Sequence, residues 1–267
     1  GAGDMKGQVA ILLELFIQMH LHHPDCSLGL VITTDEEVGG KYGAGHLFPK
    51  GIVRCKQVIN PDGGAPNRIT VGEKGVMHLG ISCTGAACHA ARPWKGSNAI
   101  EQLLAVLDRL KQTFAPLQTD PNHWHPTCSI TRLACDNQSI NRIPPRAEAA
   151  IDVRFPHPHT LASIRATLDT AIAGEATVRE YMTAEPADLS PDPLFVQCCE
   201  EHYGEPPTLV RDDGASDSRF VAAAGIPVIM SRPLVGNLHS RDEWIDIDSM
   251  VTFYRVLESY VTGRLVL

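Results

Sequence analysis

Apolar positions in this chain follow two rhythms, one of period 3.6 and one of period 2, and together they outline its elements. After a glycine-rich opening at residues 1–7, Val9, Leu12, Leu13, Phe16 and Ile17 recur at the i, i+3, i+4, i+7, i+8 spacing of a buried helical face. Asp4 stands just before that helix, where an aspartate commonly serves as an N-cap. Residues 28–33, LGLVIT, are apolar and β-branched and predict a buried strand. Asp35, Glu36 and Glu37 follow at its carboxyl end, and Gly39 and Gly40 let the chain turn away. A short helix is predicted over 42–47, then a second strand over 57–60 that ends at Asp62 and another glycine pair.

The middle of the chain changes character. Strands are predicted over 76–84, 129–135, 148–155 and 177–183, with helices over 97–113 and 160–173. The order β-α-β-β-α-β is that of the ferredoxin-like split unit. Residues 74–184 are therefore expected to form an α+β domain inserted into an α/β domain made of residues 1–73 and 185–267. His89 falls on the loop between the first strand and helix of the insertion, where polar residues gather for many reasons. The α/β pattern then resumes. Helices are predicted over 194–201 and from the glycine turn of DDGASDSRF to about 224, and a buried strand over 226–232. A polar loop carries His239, and a last helix over 249–263 has Asp248 as its cap.

Composition narrows the function classes. A chain of 267 residues, 43% hydrophobic and 20% charged, is an ordinary globular protein long enough for two domains. Its net charge of −8, with no basic run, argues against a nucleic-acid partner. No apolar stretch is long enough to span a bilayer, which argues against a membrane role. The 8 cysteines form no CxxC pair, as expected for reduced thiols in a cytoplasmic protein.

Candidate chemistry lies beyond the strand ends. An acid in a turn is most often a solvated turn residue, but here strand, acid and glycine turn occur twice, at Asp35–Glu36–Glu37 and at Asp62. In an open α/β sheet that is where ligands bind. Clustered carboxylates repel one another unless a cation holds them. Asp4, Asp35, Glu36, Glu37, Asp62 and His239 all fall just beyond strand ends or at a helix entry, and oxygen and imidazole donors without cysteine suit a hydrolytic zinc or similar site. Of two adjacent glutamates, one can bind metal while the other stays free as a base.

The motifs GAGDMKG, TTDEEVGG, PDGG, GxxxHxxxPxxGxNAI, NxIPxxAEAxIDxRF, GASDSRF and GNLHSRDEW occur here in that order. Together they resemble the co-catalytic zinc hydrolase and metallopeptidase family of succinyl-diaminopimelate desuccinylase, acetylornithine deacetylase, aminoacylase and carboxypeptidase G. The resemblance implies an α/β zinc-exopeptidase-like catalytic domain with an inserted ferredoxin-like lid that also dimerises. It implies two divalent metals, zinc by preference with cobalt or manganese able to substitute, bridged by Asp4. Asp62 would hold the first metal, and Glu37 and His239 the second. Glu36 would be the general base. His89, supplied across a homodimer, would stabilise the oxyanion, and Asn141, Arg154 and Ser216 would meet a small substrate with a free carboxylate.

The implied activity is hydrolysis of the amide bond of an N-acyl amino acid, of deacetylase or desuccinylase type. A metallo-carboxypeptidase or dipeptidase is the alternative, and a metal-deficient binding or dimerisation relative is the alternative of another class. One departure stands out. The family places a histidine of an HxD motif upstream of the glycine turn, and none is found here, so an N-terminally truncated chain with an incomplete first metal site is expected.

Overall fold

The computed structural model describes residues 1–266, and side chains through residue 264. Two compact units emerge, Gly1–Glu73 with Ala187–Leu267, and Lys74–Pro186. The first contains α1 (Gly7–His22), α2 (Ala44–Leu47), β1 (Val58–Ile59) and β2 (Arg68–Glu73). The second contains β3 (Gly75–Thr84), β4 (Cys88–His89), α3 (Ala99–Phe114), β5 (Thr127–Ala134), β6 (Arg142–Ile143), β7 (Arg146–Phe155), α4 (Leu161–Ile172) and β8 (Thr177–Ala184). The chain returns to the first unit with β9 (Ala187–Asp188), α5 (Pro193–Tyr203), β10 (Thr208–Asp212), α6 (Ser218–Ala223), β11 (Val228–Ile229), β12 (Val235–Gly236), β13 (Trp244–Ile245) and α7 (Ile247–Val266).

The second unit is built on a four-stranded antiparallel sheet in the order β5-β7-β3-β8, the ferredoxin-like arrangement, with β4 and β6 forming a separate antiparallel pair. Alternation sets its faces. Leu79 and Ile81 of β3 and Ile151 and Val153 of β7 point to one side, packed with Leu107 of α3 and Ile164 of α4. Asn98 caps α3 by accepting from Ile100 N at 3.0 Å, and Thr160 and Ser163 form a reciprocal capping box on α4.

In the first unit, β1 pairs with β11 and β2 with β10, both in parallel, while β9 joins β2 antiparallel. Helices α1, α5 and α7 share one core with β2 and β11, built on Ile11, Leu15, Ile69, Phe195, Ile229 and Phe253. Three expectations change here. The buried stripe of α1 is Ile11, Leu15 and Met19, while Leu13 and Ile17 of the predicted face are exposed. The helix is apolar nearly all round, so spacing alone does not select the stripe. Residues 28–33 are not a strand: no described strand pairs with them, and Ile32 is 55% exposed. The cap of α7 is Asp246, which accepts from Ser249 N at 2.7 Å, rather than Asp248.

Candidate metal centre

Asp4 is not the cap of α1, whose N-cap is Lys6 with no side-chain bond. It leaves the helical path with φ −135° and ψ 91°, and its Oδ2 lies 2.8 Å from His239 Nε2. Two local features bring these residues together. A Cβ on Gly3 would sit 2.9 Å from Trp244 O and 3.0 Å from Val235 Cβ, so only glycine lets the segment lie this close to the β12–β13 pair. Glu243 then accepts from Gly3 N at 2.7 Å and Asp4 N at 3.0 Å. His239 itself holds the left-handed conformation, φ 60°.

Glu36 and Glu37 occupy a 3-10 turn, Glu36–Val38. Asp35 ties its base by accepting from Tyr42 N at 2.7 Å and Gly43 N at 3.0 Å. Glycine is required at the exit: Gly40 has φ +61°, and a Cβ there would collide with Asp217 Oδ1. The turn presents Glu37 Oε1 3.9 Å from His239 Nε2. One donor atom each from Asp4, Glu37 and His239 lies within 4.8 Å of the others. Two carboxylate oxygens and one imidazole fit zinc or a similar divalent ion.

Behind this cluster is a cavity of about 180 Å³, walled by apolar residues such as Leu30, Val31 and Val58 and entered by Glu36, Asp62 and Asp217. Burial pushes the Glu36 carboxyl up to about 7, with Asp217 and Glu37 adding repulsion. Burial likewise pushes Asp62 to about 8, reinforced by Glu36 and Asp4. Asp217 is raised by burial against the pull of Arg219, and its Oδ1 is buried without a hydrogen-bond partner. Carboxyl groups are thus crowded where burial and mutual repulsion disfavour their charged forms, and a bound cation would favour ionisation.

The sequence model of the peptidase family M20/M25/M40 matches residues 1–263. The chain belongs to this family. A member of M20/M25/M40 is a metal-dependent hydrolase of amide bonds, and this chain is therefore an enzyme of that class. It is 33% identical to a succinyl-diaminopimelate desuccinylase of Paracoccus denitrificans over 288 residues, covering 97% of this chain and 74% of that one. A second desuccinylase, from Alkalilimnicola ehrlichii, is 28% identical over 97% of this chain and 72% of its own. Among solved structures, an aminopeptidase from Bacillus cereus aligns with TM-score 0.78 at 18% identity, over 97% of this chain and 70% of that one. A family M20 metallo-carboxypeptidase from Sulfolobus solfataricus aligns with TM-score 0.69 at 15% identity, over 87% and 69%. These structures establish the zinc-exopeptidase-like α/β fold with its inserted domain.

Within this M20 chain the sequence-predicted residues fall into two groups. Asp4, Glu36, Glu37, Asp62, Ser216 and His239 lie in the first unit. Ser216 is buried, its N–H donating to Glu73 Oε1 at 2.8 Å. His89, Asn141 and Arg154 lie in the second unit. The antiparallel β4–β6 pair sets His89 opposite Arg142, and Ala90 N donates to Asn141 O at 2.8 Å, so the exposed His89 and Asn141 lie side by side at this two-stranded ribbon. His89 Nδ1 accepts from Ala91 N at 3.1 Å. The Arg154 fork, on β7, grips Asp152 at 2.7 and 3.1 Å, with His78 Nε2 3.0 Å from the same carboxylate. Burial pulls Asp152 upward, yet the bonds and charge of Arg154 and His78 hold it below the ordinary range. Sequence reasoning passed over Glu243, which stands in the GNLHSRDEW motif with His239, and Asp217 and Arg219, which stand in GASDSRF.

Proposed function

We propose that this M20 enzyme hydrolyses the amide bond of an N-acyl amino acid, in the manner of a deacetylase or desuccinylase. The observation that carries the reading is the gathering of Asp4, Glu37 and His239 with Glu36 beside them and outside the ligand set. Asp4, Glu37 and His239 would hold one divalent ion, zinc by chemistry, and Asp62 with a shared Asp4 a second. Bound there, such ions polarise a carbonyl and lower the pKa of water.

The remaining chemistry belongs to the chain. Glu36, with a carboxyl near 7, is ionised in part at neutral pH and takes a proton from the attacking water at Oε, then returns it to the leaving amine. Asp217 and the apolar wall of the cavity keep that carboxyl basic enough for the task. His89 donates to the developing oxyanion, and its exposed place on the two-stranded β4–β6 ribbon of the second unit suits delivery from a second copy in a homodimer. Arg154 and Asn141 meet the carboxylate of the amino-acid product, Arg154 by its planar fork once it exchanges Asp152 for substrate. Ser216 lies in the buried loop that borders the acids. No helix among the described residues is long and apolar enough to cross a membrane.

The test is a substrate panel on the metal-loaded chain, with Glu36→Gln as control. N-succinyl and N-acetyl amino acids should be cleaved and Glu36→Gln should abolish cleavage. Turnover of dipeptides alone would assign the peptidase activity instead. Failure to retain any divalent metal would assign a non-catalytic relative.

A further inference from the structure

Four consecutive residues, Ser216, Asp217, Ser218 and Arg219, are all buried, and each is tied to a different part of the first unit. Ser216 N donates to Glu73 Oε1 at the end of β2, at 2.8 Å. Thr33 Oγ1 donates to Asp217 Oδ2 at 3.4 Å, two residues before Asp35. Asn60 Nδ2 donates to Ser218 Oγ at 2.8 Å, two residues before Asp62. Arg219 Nη2 donates to Gly39 O at 3.0 Å, two residues after Glu37. The other arm of the same guanidinium, Nη1, donates to Ser216 O at 2.8 Å and Ala215 O at 3.1 Å.

We infer that Arg219 is a positioning residue of the metal centre, its fork fixing the Glu36–Glu37 turn against the 215–219 segment. This rests on the reading of Glu36 as base and Glu37 as ligand. A guanidinium is costly to bury unless its N–H groups find acceptors, and here Nη1 and Nη2 bond to backbone carbonyls on two separate segments, while Nε is buried without a hydrogen-bond partner. The Phe220 ring, 4.5 Å away, covers one face of the cation. Gly39 holds the left-handed conformation, φ +100°, that glycine adopts freely, and the peptide that carries its carbonyl is held from one side by Arg219 Nη2 and from the other by Gly40 N, which donates to Asp35 O at 2.7 Å. Holding Gly39 O therefore holds the turn whose two preceding side chains must point in different directions. Lysine could reach one segment but lacks the planar fork that spans both.

The experiment compares the full chain with Arg219→Lys and Arg219→Ala. Zinc affinity is measured by competition with a chelator, and amide hydrogen exchange is followed in residues 36–43. Arg219→Lys should keep the circular dichroism of the wild type yet bind zinc about tenfold or more weakly, the loss typical when an outer-shell partner is removed. Its turn amides should exchange faster, and kcat should fall with KM little changed. Guanidinium at millimolar concentration should restore zinc affinity to Arg219→Ala, whereas sodium chloride at equal ionic strength should not. Unchanged zinc affinity and unchanged exchange in Arg219→Lys would overturn the inference, even with a lowered melting temperature, because packing alone would then explain the residue. If Arg219→Ala does not fold, the lysine variant decides. Zinc binding and exchange need no substrate, so a wild type inert toward acyl amino acids would refute the substrate reading and leave these readouts standing.

Discussion

Replacing Glu73 by glutamine should remove from the stability of the first unit a pH dependence of defined direction. Glu73 is only 3% exposed, so its charge is poorly screened by solvent, and burial pushes its carboxyl from 4.5 to about 7 against the hydrogen bonds from Ser216. Between those values the folded state holds a proton that the unfolded state has lost, so stability falls as pH rises from 4.5 through about 7. At about 1.4 kcal/mol per pH unit, ionised Glu73 costs about 3 kcal/mol at pH 8 but only about 1 kcal/mol at pH 5. Glutamine cannot ionise and keeps an oxygen for Ser216 N. Its NH₂ would take the place of Oε2, which is buried without a partner, at a cost of about 1–3 kcal/mol at any pH. Urea unfolding of wild type and Glu73→Gln at about pH 5 and pH 8 therefore separates the two effects. The variant should gain about 2.5 kcal/mol relative to wild type between the two conditions, whatever its offset. A stability difference that stays constant across that range would show that Glu73 is not held neutral by its burial.

Glu36→Gln should retain metal and lose most turnover, while Glu37→Gln should weaken metal binding, as measured by metal content after dialysis alongside an amide assay. Equal losses of both properties in both variants would sink that division of labour. Mixing inactive His89→Ala with inactive Glu36→Gln should recover partial activity through mixed dimers, and no recovery despite verified subunit exchange would refute action across the dimer. Gly3→Ala should displace the chain from Trp244 O and Val235 Cβ, costing about 1–3 kcal/mol and weakening zinc binding, as read by melting temperature and chelator competition. An alanine variant with wild-type zinc affinity would show that the close approach does not place Asp4.

The second unit was legible because its central elements are long and keep one period. Strand β7 alternates along its whole length and α3 is amphipathic, and the predicted 76–84 and 97–113 lie within a residue or two of Gly75–Thr84 and Ala99–Phe114. The first unit was less so. Strands β2 and β10 are short and end in charged residues, so they carry no strong alternation and are recognised only by their pairing. Residues 28–33 have the composition of a strand without a described partner for its backbone, and composition cannot supply a partner. At the site, the acids were visible from glycine turns at predicted strand ends, and family motifs added His239. The residues that fix them were not. Arg219 acts through carbonyls and Glu243 through backbone N–H groups, and neither interaction leaves a spacing rule in the sequence.

The bond between His239 Nε2 and Asp4 Oδ2 joins residues 235 positions apart. An ion shared by these two side chains would therefore staple the chain nearly end to end, enclosing the whole second unit in its loop. By chain-entropy arithmetic, closing a loop of that length removes about 5 kcal/mol from a fully unfolded chain, and less if the enclosed unit stays folded. Chelation would then resemble reduction of a long-range disulfide. It would loosen the first unit, which is assembled from both ends of the chain, and spare the second, whose strands all come from one continuous stretch.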